Sequence, residues 1–228
     1  MHIPDGYLGP ATCGFFYLIM LPVWTAASSI VKKTLNARQV PLLAVGAAFS
    51  FVIMMFNVPI PGGTTGHAVG GVLVAILLGP WAACIAITVA LVIQSLLFGD
   101  GGITAIGANC FNMAFVLPFA GYYIYKVISC KAPVDSGRRV IAAGIAGYLA
   151  LNISAGITGF MFGIQPLLYK TASGAALYCP YGLNVALPAM LGEHLLFFGW
   201  VEAIVTALVI KYLQKHAPEL LAAGRKAQ

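Results

Sequence analysis

The sequence predicts an all-α membrane protein, a single integral unit over residues 1–228 built as a polytopic bundle of about seven transmembrane helices. Three observations predict it. Hydrophobic residues make up 61% of the chain and charged residues 8%, against about 45–50% and about 25% in soluble domains. The mean hydropathy is +0.94, which means more apolar surface than one core can absorb. The basic residues, finally, fall into groups separated by long uncharged stretches, the pattern of loops held on one side of a bilayer.

A spanning helix needs ~20 apolar residues to cross a ~30 Å hydrocarbon core. That ruler gives seven candidates, at 11–31, 41–58, 65–79, 81–98, 104–127, 139–163 and 186–213. The first run could pass for a signal peptide, with Ala26-Ala27-Ser28 as small cleavage-site residues. No Lys or Arg precedes Lys32, however, so the basic leader segment is missing and the run is read as a retained helix. The third is short, reaching roughly 22 Å at a rise of 1.5 Å per residue. It is expected to begin below the surface, with the loop before it folded inward. Gly79-Pro80 separates it from the fourth, because proline removes a helix donor.

Charge then sets the expected orientation. Lys32, Lys33 and Arg38 follow the first helix, Lys126, Lys131, Arg138 and Arg139 lie between the fifth and sixth, and Lys211, Lys215, Arg225 and Lys226 close the chain. Seven crossings put these eleven of the 12 basic residues on one side and leave Lys170 opposite. By the positive-inside rule the N-terminus is expected outside and the C-terminus in the cytoplasm. The cysteines Cys13, Cys84, Cys110, Cys130 and Cys179 are scattered without a CxxC pair, so they are expected to pack as small apolar residues.

The chemistry concentrates at Met1 and His2. The α-amine of Met1, the amide nitrogen of His2 and its imidazole Nδ1 can close on one ion through five- and six-membered chelate rings. Three nitrogens in a plane leave one corner open, and a square-planar nitrogen site is characteristic of Ni(II) or Cu(II). The predicted topology puts the loop at 57–66 on the same face as Met1. Its prolines and glycines forbid regular structure, and such backbone is tolerated at membrane depth only when buried in protein or lining a cavity. Thr64 or Thr65 can cap the helix that follows. His67 would then sit in its first turn, where the positive dipole end favours the neutral imidazole, which makes His67 the candidate fourth nitrogen. The bland alternatives are an accidental second residue for His2 and a loop-bonded histidine for His67. Because the donors must be unprotonated, capture is expected to weaken below roughly pH 6.5–7.

Three stretches carry a family resemblance over essentially the whole chain. Met-His-Ile-Pro-Asp-Gly-Tyr-Leu at 1–8, Thr-Thr-Gly-His at 64–67 and Gly-Asp-Gly-Gly-Ile-Thr-Ala-Ile-Gly-Ala-Asn-Cys-Phe-Asn-Met at 99–113 resemble the CbiM/NikM family. These are the substrate-binding (S) components of nickel and cobalt energy-coupling factor (ECF) transporters. The resemblance implies a seven-helix bundle in a prokaryotic cell membrane, its N-terminus tucked into the core. It implies an ion held by the terminal amine of Met1, the amide and imidazole of His2 and the imidazole of His67. The Pro-Asp after His-Ile looks more like the nickel branch than the cobalt branch. The resemblance also implies a transmembrane coupling (T) protein and a pair of cytosolic ATPases as partners. No GxxxxGK[ST] occurs, so this chain has no P-loop with which to bind nucleotide. Ala44 and Ala48 form a small-xxx-small pair on the second helix, which the resemblance assigns to the coupling protein and which packing within the bundle would equally explain.

Other ionisable residues in a membrane are functional candidates by default. Asp100 lies in a Gly-rich external turn, solvated or guiding cations inward. Glu193 and His194 are about 100° apart on one helix, so one of them, like Asn109 or Asn112, could support a ligand from behind. Glu202 is expected to pair with another helix, and His216 to be solvated in the basic tail. An ion-coupled secondary transporter would also carry buried acids, but needs no histidine at position two. An enzyme is excluded as a class, with no HExxH and no second histidine at helical spacing from His194.

Overall fold

Long apolar runs in a low-dielectric setting satisfy their backbone hydrogen bonds internally, as helices. The computed structural model describes residues 1–37 and 39–221, so Arg38, Arg225 and Lys226 of the basic groups lie outside the described residues. The helices are α1 (Pro10–Thr34), α2 (Val40–Met55), α3 (Gly71–Leu78), α4 (Pro80–Phe98), α5 (Ile106–Ile128), α6 (Gly137–Gly163) and α7 (Leu183–His216). A single turn, Gln165–Leu168, extends α6. Five of the helical stretches are long and apolar enough to cross a membrane, and α2 is a shorter apolar helix. Three helices carry a π-turn, at Gln94–Phe98 in α4, Cys110–Val116 in α5 and His194–Phe198 in α7. Each widens the helix locally and re-aims side chains, as such turns do at functional sites.

The largest departure from the expected boundaries is α3. It starts at Gly71, not Thr65. Thr65–Gly66 (β2) instead pairs antiparallel with Val58–Pro59 (β1), and Gly70 takes the left-handed conformation, φ 73°, that starts the helix. Neither Thr64 nor Thr65 caps it. Two prolines in the loop deny regular structure on one side, and the ladder consumes the residues that could have continued the helix on the other. What remains, eight residues, reaches ~12 Å, and α3 lies within the bundle with seven of its eight residues buried.

Helices α6 and α7 make the closest backbone approach. A Cβ on Gly163 would lie 2.6 Å from the Cα of Leu183, and one on Gly159 would lie 3.0 Å from Ala186 O. Small residues permit such contact between helices that have no hydrophobic drive to associate in lipid. Asn112, a candidate support for a ligand, instead ties α5 to α6, donating to Ser154 O (2.9 Å) and to the Thr158 hydroxyl. Ala44 and Ala48 face outward from α2, so packing inside the bundle does not account for them. His216 is exposed in the last turn of α7, its ring 4.5 Å from that of Tyr212. The five cysteines are free; Cys130 is exposed and the other four are buried. Gly163→Ala forces helix backbones apart and is expected to lower the apparent melting temperature in detergent, at a cost of about 1–3 kcal/mol. Gly144→Ala, whose Cβ finds its nearest neighbours at 3.5 Å, should melt like the wild type.

Candidate metal centre

The first three residues enter the protein interior, and after an exposed turn at Asp5-Gly6 the chain is buried again at Leu8 and Gly9. Met1 and Ile3 are fully buried and His2 is 2% exposed, so every polar main-chain group here needs a partner. Asn109, in the first turn of α5, accepts from Ile3 N–H (2.8 Å) and donates to Ile3 O (3.1 Å). Gly102 N–H also donates to Ile3 O (2.8 Å), and the Thr64 hydroxyl donates to His2 O (2.6 Å). Further along, Cys179 N–H bonds Tyr7 O (3.2 Å) and Gly9 N–H bonds the Gln165 side chain (2.9 Å). The glycines of the 99–102 turn allow the strand-like segment to lie this close. A Cβ on Gly102 would fall 2.4 Å from Asp5 N, and Gly101 has a φ of 87° with His2 and Asn109 beside it. Asp5, itself exposed, ties the same turn down by accepting from Ile103 N–H (3.1 Å), Thr104 N–H (2.9 Å) and the Thr104 hydroxyl.

Within this enclosure His2 and His67 face each other, ring centroids 4.5 Å apart. Their tautomers follow from their partners. Gln94 is buried on the π-turn of α4 and donates its amide nitrogen to Phe51 O (3.3 Å), which leaves its oxygen toward His2 Nε2 at 3.1 Å. His2 therefore carries its proton on Nε2. His67 Nδ1 bonds Ala68 O at 3.1 Å, so its proton is on Nδ1. The remaining nitrogens, His2 Nδ1 and His67 Nε2, are buried acceptors without a hydrogen-bond partner. The amine of Met1 donates to Thr65 O and to Thr65 Oγ1 (3.1 Å). A neutral amine has two hydrogens and one lone pair, so these two bonds leave the lone pair free. The amide N–H of His2 donates to nothing among the described residues.

Electrostatics favours donors over acids here. Burial pushes the Met1 amine well below its ordinary 8.0, with Asp100 and Glu193 opposing. Burial also brings His2 down to about 3, with the neighbouring amine adding to the effect, and holds His67 well below 6.5. The neutrality of His67 is thus a desolvation effect, not the helix-dipole effect expected from the sequence, since His67 precedes α3 instead of lying in its first turn. Burial thus holds all three groups below the solvated values on which the expected pH 6.5–7 rests.

Asp100 is not a solvated loop residue. Its Oδ1 lies 3.3 Å from His2 Nδ1, its side chain is 18% exposed, and Asn57 donates to its Oδ2 at 3.1 Å. A carboxylate facing an imidazole lone pair is an arrangement that a cation relieves. Glu202, fully buried, meets another helix as expected, at the backbone N-terminal end of α3 and not at a side chain. It accepts from Val69 N–H (2.8 Å) and Gly70 N–H (2.9 and 3.1 Å) and so fixes the segment carrying His67. His194 is buried on the α7 π-turn, bonding Met190 O through Nδ1 (2.7 Å) with Nε2 unpartnered, while Glu193 is half-buried. The two face apart, as consecutive helical residues must. Among the described residues no three His, Cys, Asp or Glu side chains converge as a metal cluster; the donors that do converge are half main chain. Sequence reasoning missed Gln94, Asn57, Asp5 and the role of Glu202. A lone amide inside the apolar run of α4 was the signal for Gln94.

A profile described as "Cobalt uptake substrate-specific transmembrane region" (CbiM) matches residues 2–220. The chain belongs to the CbiM family. It is 52% identical over 96% of its length to the "Probable fused nickel transport protein LarMN" of Lactiplantibacillus plantarum and 53% identical over 99% to the "Fused nickel transport protein NikMN" of Rhodobacter capsulatus, spanning 66% and 65% of those proteins. A crystal structure of a truncated transition metal transporter superposes with a TM-score of 0.90 at 54% identity, covering 95% of this chain and 99% of that one. The CbiM-family chain is therefore a multi-pass protein of a prokaryotic cell membrane from a family of metal transporters, not enzymes.

Two predictions follow from the supports of the site. Glu202→Gln replaces an acceptor oxygen with an NH2 facing backbone N–H groups. It should cost about 1–3 kcal/mol, read as a lower apparent melting temperature together with weaker divalent-metal binding. Asp5 has its carboxyl held below the ordinary 3.8, first by the Thr104 hydroxyl and then by the two N–H groups. Its tether is therefore fully present above that ordinary value and is lost as pH falls through the lower folded one. Amide-exchange protection of residues 1–8, compared in wild type and Asp5→Asn, should differ at neutral pH and converge under acid.

Proposed function

We propose that this chain is the ion-capturing S component of an ATP-driven ECF-type importer, and that it binds Ni(II) in a square plane of nitrogens. The donors are the Met1 amine, the amide and Nδ1 of His2, and Nε2 of His67. One observation carries the reading: every hydrogen on the amine and the two imidazoles already has an acceptor elsewhere, which leaves a lone pair on each. The His2 amide N–H forfeits no hydrogen bond when it ionises. Ni(II) and one amidate sum to a single positive charge, which the Asp100 carboxylate beside Nδ1 balances; a charge in such surroundings requires a counter-charge.

The planar set discriminates by geometry. Zn(II) prefers a tetrahedron, Ca(II) and Mg(II) prefer oxygen ligands at higher coordination number, and all three are disfavoured. Cu(II) would bind more tightly than Ni(II) in the same plane, so its exclusion rests on supply. The nickel-named relatives at 52–53% identity support nickel as cargo. The family description names cobalt, and a Co(II)-specific component is the alternative reading. With the N-terminus external, capture takes place outside the cell. The coupling T protein and the ATPase pair then drive release inward, with no nucleotide bound by this chain. An ion-coupled secondary transporter is set apart by its energy source, since uptake would survive loss of the ATPases and collapse with the proton gradient.

The test is metal binding by the purified chain. One Ni(II) per chain with a yellow, diamagnetic absorption spectrum is expected. Inserting one alanine between Met1 and His2 moves the imidazole out of its chelate ring and should abolish that spectrum. His67→Ala should weaken binding at least roughly tenfold while expression persists. Unchanged nickel binding after the insertion overturns the ligand set.

A further inference from the structure

The end of the bundle away from the metal centre holds a cavity of about 180 Å³, lined by basic and apolar side chains, where the C-terminal ends of α3 and α5 meet the start of α6. Tyr122, Tyr125, Lys126, Lys131 and Arg139 line it. Arg139 is only 6% exposed. Its Nε donates to Ala132 O (3.1 Å) and Pro133 O (3.0 Å), and one terminal nitrogen donates to the Tyr125 hydroxyl (2.9 Å). All three partners are neutral. Asp135 and Glu219, carboxylates near this end of the chain, are exposed, and among the described residues no ion pair involves Lys126, Lys131 or Arg139. Lys126 and Lys131 are exposed at the cavity mouth, but the Arg139 guanidinium, buried with no counter-charge, is unfavourable unless an anion is supplied.

The backbone adds an independent observation. Lys131 has a φ of 60° and is the only non-glycine residue with positive φ among the described residues. That conformation is disfavoured for a side chain with a Cβ, and strain of this kind concentrates where a side chain must be held toward a ligand. Lys126, in the last turn of α5, lies over the Tyr122 ring at 5.7 Å. The guanidinium of Arg139 lies over Tyr125 at 5.9 Å. Both cations are thus directed along the cavity wall.

We propose that this cavity binds a phosphate group, the shared chemistry of an anionic phospholipid headgroup and of free inorganic phosphate. Its position at the end of a membrane-length helix, with apolar Ile76 and Leu221 in the wall, matches how basic pockets between transmembrane helices take headgroups. The proposal is independent of the metal reading.

The test is thermal melting of the purified full chain in neutral detergent, with dilauroyl phosphatidylglycerol, dilauroyl phosphatidylcholine or inorganic phosphate added. Saturable stabilisation by phosphatidylglycerol and none by phosphatidylcholine is expected. Stabilisation by inorganic phosphate, with no further gain from phosphatidylglycerol, supports the same site with a soluble anion. Lys131→Gly removes a cation and relieves the strained backbone, so it should fold at least as well as wild type, bind Ni(II) as wild type does, and need roughly tenfold more anion for half its effect. Arg139→Gln should act in the same direction. Equal responses to the two lipids with none to phosphate, or a wild-type anion response in Lys131→Gly, overturns the proposal.

Discussion

The structure turns on placing a chain terminus in a low-dielectric interior. A charged ammonium could not rest there, and an unpaired peptide group would be nearly as costly. The interior therefore supplies partners for most of these polar atoms: Asn109 and Gly102 at Ile3, Thr64 at the His2 carbonyl, Thr65 at the amine. Within residues 1–3, the main-chain hydrogen without an acceptor among the described residues belongs to the His2 amide. Much of the local architecture reads as accommodation of this one requirement, including the glycine turn at 99–102, the two-residue ladder before His67, and an α3 too short to span.

A second ring of residues orients the donors without touching an ion. Gln94 can present its oxygen to His2 only because Phe51 O holds its nitrogen. His67 is placed by a segment whose Val69 and Gly70 N–H groups end on Glu202. Each link runs from a different helix, α2 through α4 on one side and α7 on the other. Ring orientation in the centre is thereby coupled to the packing of the whole bundle, as outer hydrogen bonds commonly orient metal ligands. The π-turns take part directly, since Gln94 and His194 both begin one.

Much of this was legible in the sequence, and the failures have physical causes. Length and hydropathy are properties of single runs, so the long helices could be placed to within a few residues. Met1, His2 and His67 could be singled out as candidate donors because chelate geometry is local to the first two residues and a single histidine ends the irregular loop; what the structure shows is that the three lie together. The start of α3 was misread because capping preference is local, whereas the pairing of Val58 with Gly66 is a contact between distant residues. Glu202 could be assigned to another helix but not to the N-terminal end of α3, because the sequence cannot show that a carboxylate 132 residues away meets the N–H of Gly70. Asp100 looked like any acid in a glycine turn until the fold brought Asn57 and His2 to its two oxygens.

The side chains of the two facing imidazoles are at most 3% exposed, beneath a roof made of the turn after α4 and the loop after α2. No solvent column reaches them in this conformation. Exchange of whatever they hold is consequently clocked by the roof lifting, a collective motion with its own rate, and not by the strength of any one coordinate bond. Two cations of very different thermodynamic preference would then leave at similar speeds, and residence would become a property of the polypeptide.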